Sequence, residues 1–429
     1  MKPLMIGNLN LKYMMYNIVL DNIIVDHNIV YYNFSCSKEL DEYFKSKQLF
    51  IEYPDDVSSV PLSILSIPFI ATFLGISWLE NTNLYVDELD STYYYSLREV
   101  RSAFQDMYYN VSLKGRVVPC KIVHNNVVGC GQSLLLFGGG VDAHCSYIRH
   151  KDTISHIMNI QGWFSNMDAC DTAAEADRMH CHEFSERMGI LFYYVKSNFA
   201  SIVNANIFNR KFQSLLHDQW WHGIQHSMAF IAISIPIAFL HSISNIIIAS
   251  SCTKGRVKPC GSFITTDSAF KYAGEGNVLH DAFELNRQGK IKVIVDCQKA
   301  SGQPYPLKVC SFNDRNCCEC EKCFRTIIEI IAEGGRIQDF GFSIKGSLVA
   351  FFADVMNRRL GLWGMSFERE IYWKDTIKRM KENYDNIAEK EFVDWFLTYD
   401  FDKEQIRSRR NYYFHNFFSI IKRKLFNHK

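Results

Sequence analysis

Three consecutive glycines with an acid two residues beyond them form the stretch best suited to chemistry: Leu134-Leu135-Leu136-Phe137-Gly138-Gly139-Gly140-Val141-Asp142-Ala143. An apolar run of strand character enters the glycines, and a segment able to form a helix leaves them. Lacking Cβ atoms, glycines let backbone amides converge on an anion. The first turn of a following helix adds its positive end. Asp142 faces the same spot, where a carboxylate beside phosphate calls for a cation such as Mg2+ between them. The plainer reading is an ordinary glycine-rich turn, and the loop residues alone leave both readings open.

A second constellation lies downstream. Cys310, Cys317, Cys320 and Cys323 stand in the spacing C-x6-C-x2-C-x2-C, with a helical segment at 324–333 behind them. Four thiolates so close in sequence suit tetrahedral Zn2+, and a site closed by four sulfurs keeps no open position for substrate, so the metal is expected to be structural. Cys318 is a fifth candidate, but the x2 rhythm favours its neighbours. A redox pair or an unligated cluster is the alternative.

The loop resembles the PP-loop of N-type ATP pyrophosphatases, S-G-G-x-D-S, with Gly139, Gly140 and Asp142 matching. Gly138 and Ala143 stand where that signature has serines, so two hydroxyls are missing while the backbone cradle and the acid are kept. A PP-loop followed by a cysteine quartet is similar to 7-cyano-7-deazaguanine synthase and proteins like it. Within that group the chain most resembles uncharacterised bacterial members encoded among polysaccharide-biosynthesis genes. Those carry N-C-x-x-C-E-K-C-x-R-T, matched by Asn316, Cys317, Cys320, Glu321, Lys322, Cys323, Arg325 and Thr326, and H-D-x-x-E-x-x-R, matched by His280, Asp281, Glu284 and Arg287. The similarity covers about residues 60–335. It implies an adenine nucleotide alpha-hydrolase-like fold, ATP held at Phe137, Gly138, Gly139, Gly140, Val141 and Asp142, and Zn2+ held by Cys310, Cys317, Cys320 and Cys323.

Other residues carry two readings each. Thr253-Lys254-Gly255-Arg256 follows a strand and would bring cations to the loop's rim, with Arg256 the better candidate and Lys254 read as solvated. Arg325 either contacts substrate or phosphate, making it a catalytic candidate beside Asp142, or pairs with Glu321 or Glu329. His280 and Asp281 serve as acid, base or clamp, or as a structural hydrogen-bonded pair. Trp220, Trp221 and His222 read as core and rim packing. His180 and His182 are set aside, because i and i+2 point to different faces of a helix.

The elements that must position these groups follow from composition and rhythm. The chain has 429 residues, 48% hydrophobic and 22% charged, enough for two or three folded portions with a large core. A formal net charge of +1 gives no global attraction to nucleic acid or anionic lipid. Fourteen cysteines in a long chain, concentrated in one cluster, and an N-terminus without a secretory apolar core point to a reducing cytoplasm. The most apolar window, residues 228–240, is too short to span a bilayer and reads as a buried helix.

Residues 4–53 show short β-rich runs, followed by helices within 60–79 and at 93–109 and a short strand at 84–86. From Ser133 the rhythm becomes strand and helix in alternation, with strands at 154–160, 190–195 and 245–249 and helices at 170–188 and 219–240. That pattern predicts an α/β fold with a parallel, doubly wound sheet, its ligand beyond the carboxyl ends of the strands. Three portions are expected: an N-terminal α+β portion at 1–130, the ATP-binding part at 131–336 with its zinc lobe at 310–323, and a helical extension at 337–429. The extension's main helices are expected at 340–356 and 367–384. Residues 407–429 are basic and aromatic, which allows contact with a membrane surface or a protein, but a docked terminal helix with solvated charges is the preferred reading.

Together these point to an ATP-dependent, AMP-forming ligase of the PP-loop class. It would adenylate a small carboxylate-type acceptor for a nitrogen donor and release pyrophosphate, using ATP, Mg2+ and Zn2+. The rivals are a nucleotide-binding sensor or scaffold without turnover, and a tRNA- or nucleobase-modifying enzyme, against which the neutral charge argues.

Overall fold

The computed structural model describes residues 16–129, 131–162, 172–254, 258–310, 313–363, 367–401, 403, 406, 407, 410 and 414, with the backbone alone at 172–173, 360–363 and 367–372. The chain forms two compact units, Met1–Leu136 with Asp152–Cys170 and Ser185–Phe283, and Phe137–Lys151 with Asp171–Phe184 and Glu284–Lys429.

The first unit carries the sheet. Its strands are β1 (Asn17–Asp26), β2 (Ile29–Cys36), β3 (Gln48–Glu52), β4 (Asn83–Asp90), β5 (Arg116–Val123), β6 (Ser133–Leu136), β7 (Ile154–Gln161), β8 (Leu191–Ser197), β9 (Asn245–Ala249), β10 (Lys271–Tyr272) and β11 (Gly276–Asp281). They hydrogen-bond in the order β10-β11-β9-β6-β7-β8-β3-β2-β1-β4-β5. From β11 through β8 the pairing is parallel, with Leu135 opposite Ile157 on one side and Ile247 on the other. The α/β fold with a mostly parallel sheet therefore stands.

The N-terminal strands do not form a sheet of their own. β3 pairs antiparallel with β8 through Ile51↔Ser197 and Glu52↔Lys196, so the expected 1–130 portion continues the same sheet. The strand order reverses at β6, whose neighbours are β7, which follows it, and β9, far along the chain. Such a reversal is where open α/β sheets bind ligands, and β6 is the strand that runs into the glycines.

The helices of this unit include α1 (Leu62–Glu80) and α2 (Ser91–Met107). Nearly every side chain of α1 is buried, which is what a helix apolar on all sides requires. The long helix expected at 219–240 is interrupted. It opens with a π-helical turn at Trp221–Gln225 and becomes regular only at His226. Numbering in chain order, the intervening helices are α3 (Val141–His150), α4 (Thr172–Met188) and α5 (Ala205–Leu216), so this one is α6 (His226–Leu240). It packs against α1. The apolar stretch is longer than the 228–240 window read from sequence. Leu62–Glu80 and Trp221–Leu240, at 19 and 20 residues, are both long and apolar enough to cross a membrane, yet 89% and 78% of their apolar windows are buried in the protein.

Beside this packing, the His156 ring of β7 lies tilted against Tyr193 of β8 and His241 at the end of α6, with centroids 5.0 and 5.7 Å away. His241 Nε2 lies 2.7 Å from Asp55 Oδ2. Burial lowers the His156 imidazole to about 4, and His241 adds to the effect.

The remaining helices are α7 (Ile264–Asp267), α8 (Arg287–Ser301), α9 (Glu321–Ala332), α10 (Leu348–Trp363), α11 (Phe367–Glu382) and α12 (Lys390–Thr398). The helix expected at 340–356 begins eight residues late. Gly341, at φ +80°, ends a short 3-10 turn at Ile337–Phe340, and Gly346, at φ +82°, lies two residues before the next helix start. β5, β10, β11, α5 and α8 had no counterpart in the sequence-based expectation.

Candidate functional site

Phe137 is buried, Gly138 is exposed, and Gly139 adopts φ +72° before Gly140 caps α3 at φ −82°, ψ 170°. The first helical bond runs from the His144 amide to the Gly140 carbonyl at 3.1 Å. Among the described residues, no group accepts a hydrogen bond from the amides of residues 138–143. A Cβ placed on Gly138 or Gly140 would meet nothing within 4 Å, whereas one on Gly139 would lie 2.7 Å from His180 Cδ2. Packing therefore demands a glycine only at 139. At 138 and 140 the missing side chain leaves open space over unpaired amides at a helix N-terminus, an arrangement able to hold an anion.

Asp142, in the first turn of α3, has its charge balanced by side chains from α8. Lys290 Nζ, 2% exposed, lies 2.9 Å from Asp142 Oδ1, and an Arg287 amine lies 3.7 Å from Oδ2. Burial alone would lift the Asp142 carboxyl, but Lys290 and Arg287 outweigh it and hold it below the usual carboxylate range, with Arg325 adding to them. Arg287 is fixed in turn by α9, through Glu329 Oε2 and Thr326 Oγ1, each at 3.1 Å. Burial pushes the Glu329 carboxyl up against the pull of Arg287 and Arg325.

Cys310, Cys317, Cys320 and Cys323 converge, their sulfurs all within 4.8 Å of one another. Cys317–Cys323 and Cys320–Cys310 are 3.9 and 4.0 Å apart, close to the edge of about 3.8 Å that a tetrahedral zinc–thiolate site requires. This group could hold a metal ion such as zinc. Its knuckle is built by backbone amides, Cys320 N donating to Cys317 Sγ and Cys323 N to Cys320 Sγ at 3.2 and 3.5 Å. The hydrogen bonds from Cys323 bring the Cys320 thiol down to about 5, and burial with its sulfur neighbours pushes Cys317 up.

Asn316 braces the centre. Its Oδ1 accepts from the amides of Val309 and Cys310, and its Nδ2 donates to the Leu307 carbonyl at 2.7 Å. Cys318, at φ +60°, turns away toward the carbonyls of Asn316 and Ser343, so the quartet excludes it.

Apart from Arg325, which acts electrostatically on Asp142, the other expected residues scatter. Arg325 pairs with Glu321 at 3.4 Å, one of its two expected alternatives. His280 and Asp281 do not bond each other: His280 Nδ1 meets Asp267 Oδ2 at 2.8 Å with both side chains fully buried, a structural pair. Glu284 reaches Arg149 at 2.7 Å. Lys254 is exposed, and Arg256 lies outside the described residues, as does most of the basic tail at 407–429. Trp220 is core, and His222 is on the surface. A cleft of about 600 Å³ lined by Glu99, Asp106, Met107, Pro259 and Phe263 contains none of the expected site residues.

Four contributors were missed in the sequence. Lys290 lies in no motif, and Arg287 lies in one that assigns it no role. Lys308 donates its amide to the Gly139 carbonyl at 3.2 Å. His180 packs on Gly139, with its Nε2 3.4 Å from His144 Nε2, while His144 Nδ1 lies 3.3 Å from the Tyr305 hydroxyl. His182 is exposed, so the two histidines do diverge, yet discarding both lost the relevant one. Compared with known proteins, the chain matches no family model and no curated protein.

Proposed function

We propose that the glycine loop binds the triphosphate of ATP and that the chain is an AMP-forming ligase of the PP-loop class. The observation that carries this is the run of amides at 138–143 with no partner among the described residues, beneath space that side chains at Gly138 and Gly140 would fill. Amides fixed in place before charge develops lower the cost of a departing pyrophosphate. Lys290 and Arg287 supply positive charge beside the loop, and Asp142 would hold Mg2+ through Oδ2, which faces Arg287 at 3.7 Å and accepts no hydrogen bond among the described residues. Mg2+ would supply charge neutralisation on the phosphates.

In this reading an acceptor oxygen displaces pyrophosphate from the α-phosphorus. The acylated AMP then yields to a nitrogen nucleophile, because a free carboxylate is a poor electrophile and AMP is a good leaving group. The acceptor is a small carboxylate, and a cytoplasmic polysaccharide pathway is its proposed setting by analogy alone. Zn2+ in the cysteine quartet is structural, since four thiolates close its coordination.

A second reading, nucleotide binding without turnover, is favoured by two observations: Asp142 is already paired with Lys290, and the loop offers no hydroxyl at 138 or 143. ATP–pyrophosphate exchange against a panel of small carboxylates separates the two. Exchange that is lost in Asp142→Ala supports the ligase; tight ATP binding without exchange supports the sensor. Exchange undiminished in Asp142→Ala overturns the placement of the site.

A further inference from the structure

We propose that Lys308 is a positioning residue that makes the anion-binding geometry of the glycine loop conditional on a filled four-cysteine centre. The inference begins with one peptide unit. In a planar trans peptide the carbonyl and the next amide point in opposite directions. The Gly139 carbonyl is held by the Lys308 amide at 3.2 Å, so the Gly140 amide is aimed away from Lys308. Gly139 sits at φ +72° with His180 and the Lys308 side chain both crowding the place a Cβ would take, so the peptide is packed as well as hydrogen-bonded.

Lys308 is itself anchored to the cysteine centre. Its side chain, 5% exposed, donates to the carbonyl of Cys310 and pairs with Asp177 of α4 at 3.2 Å. Asn316, the residue before Cys317, clamps Leu307, Val309 and Cys310 on both sides of Lys308. The path from sulfur to loop is short and continuous: Cys310 and Cys317, the Asn316 bracket, the Lys308 amide, the Gly139 carbonyl and the Gly140 amide. The buried ammonium thus ties a main-chain oxygen of the cysteine segment to a carboxylate of α4, two bonds that a methionine could not make, and so fixes the residue whose amide holds the Gly139 carbonyl.

That the loop's ligand is a phosphate rests on the proposed function above; the coupling itself does not. The test uses full-length protein labelled with 15N-glycine, loaded with zinc. The resonances of Gly138, Gly139 and Gly140 are compared in the natural chain, after chelation, after zinc is returned, and in zinc-loaded Lys308→Met and Asp177→Asn. The coupling predicts that chelation and Lys308→Met displace or broaden the loop glycines, with Gly75 in the sheet unit unmoved. Returning zinc should restore them in the natural chain and leave Lys308→Met displaced.

In parallel, ATP affinity should fall at least tenfold in zinc-loaded Lys308→Met. Loop resonances unmoved by chelation and by both substitutions would overturn the coupling, even where ATP binds. Resonances that respond in a protein with no affinity for ATP would uphold the coupling and reject the nucleotide.

Discussion

Gly140→Ala separates a loop built for packing from one built for a ligand. At φ −82°, ψ 170° alanine is unstrained, and its methyl would meet no atom within 4 Å. Restricting the unfolded chain gains about 0.4–1 kcal/mol. Alanine caps a helix less well than glycine, a loss of up to roughly 1 kcal/mol. The two offset, so urea unfolding should report stability within about 1 kcal/mol of the natural chain. A methyl group over the amides would instead displace a phosphate oxygen. Losing one hydrogen bond to a charged group costs about 1.5–3 kcal/mol, a fall in ATP affinity of roughly 10- to 150-fold by calorimetry.

Gly139→Ala provides the contrast. Its left-handed backbone alone costs roughly 1–2 kcal/mol, and His180 must also shift. Gly140→Ala and Gly138→Ala proteins that are stable and bind ATP like the natural chain would refute the cradle. A Gly140→Ala protein that unfolds would refute the geometry.

Four further outcomes are expected. The purified protein should bind one equivalent of zinc, and cobalt substitution should give the visible bands of tetrahedral thiolate, both lost in Cys317→Ser. Lys290→Met should lower stability by about 1–3 kcal/mol in urea titrations, because Asp142 loses its closest partner. His156 favours its neutral form when folded, so its contribution is present above the unfolded histidine pKa of about 6.5 and is lost as pH falls toward 4; about 3 kcal/mol of acid sensitivity over that window should be missing in His156→Gln. Glu329 has the opposite sign: its raised carboxyl favours the protonated folded state, so Glu329→Gln should remove a loss of stability that sets in as pH rises above the ordinary glutamate range.

What the sequence disclosed was local. Strand, triple glycine, acid and helix follow one another within a few residues, so propensity and turn chemistry agree from β6 through α3. The cysteine rhythm picked out four sulfurs and rejected Cys318 because a fixed x2 spacing maps directly onto a knuckle. What stayed hidden depends on contacts far apart in sequence. α8 buries Gln288, Lys290 and Gln298, so polar residues occupy its inward face and erase the apolar period by which helices are found. The pairing of Lys290 with Asp142 spans 148 residues and leaves no trace in either neighbourhood. β5 contains Pro119 and lies at the sheet's edge, the one place a strand tolerates proline, so its composition argued against a strand.

The mutual burial of α1 and α6 has a consequence for the chain as it is made. Residues 62–80 leave the ribosome about 150 residues ahead of the helix that covers them, which at 5–20 residues per second is roughly 8–30 s. β8, which joins the early strands to the parallel core, also arrives late. For that interval a nineteen-residue oily rod is indistinguishable, to a chaperone or an insertion pore, from a segment bound for lipid. Nascent chains halted before α6 should therefore be chaperone clients, and completion of α6 should release them.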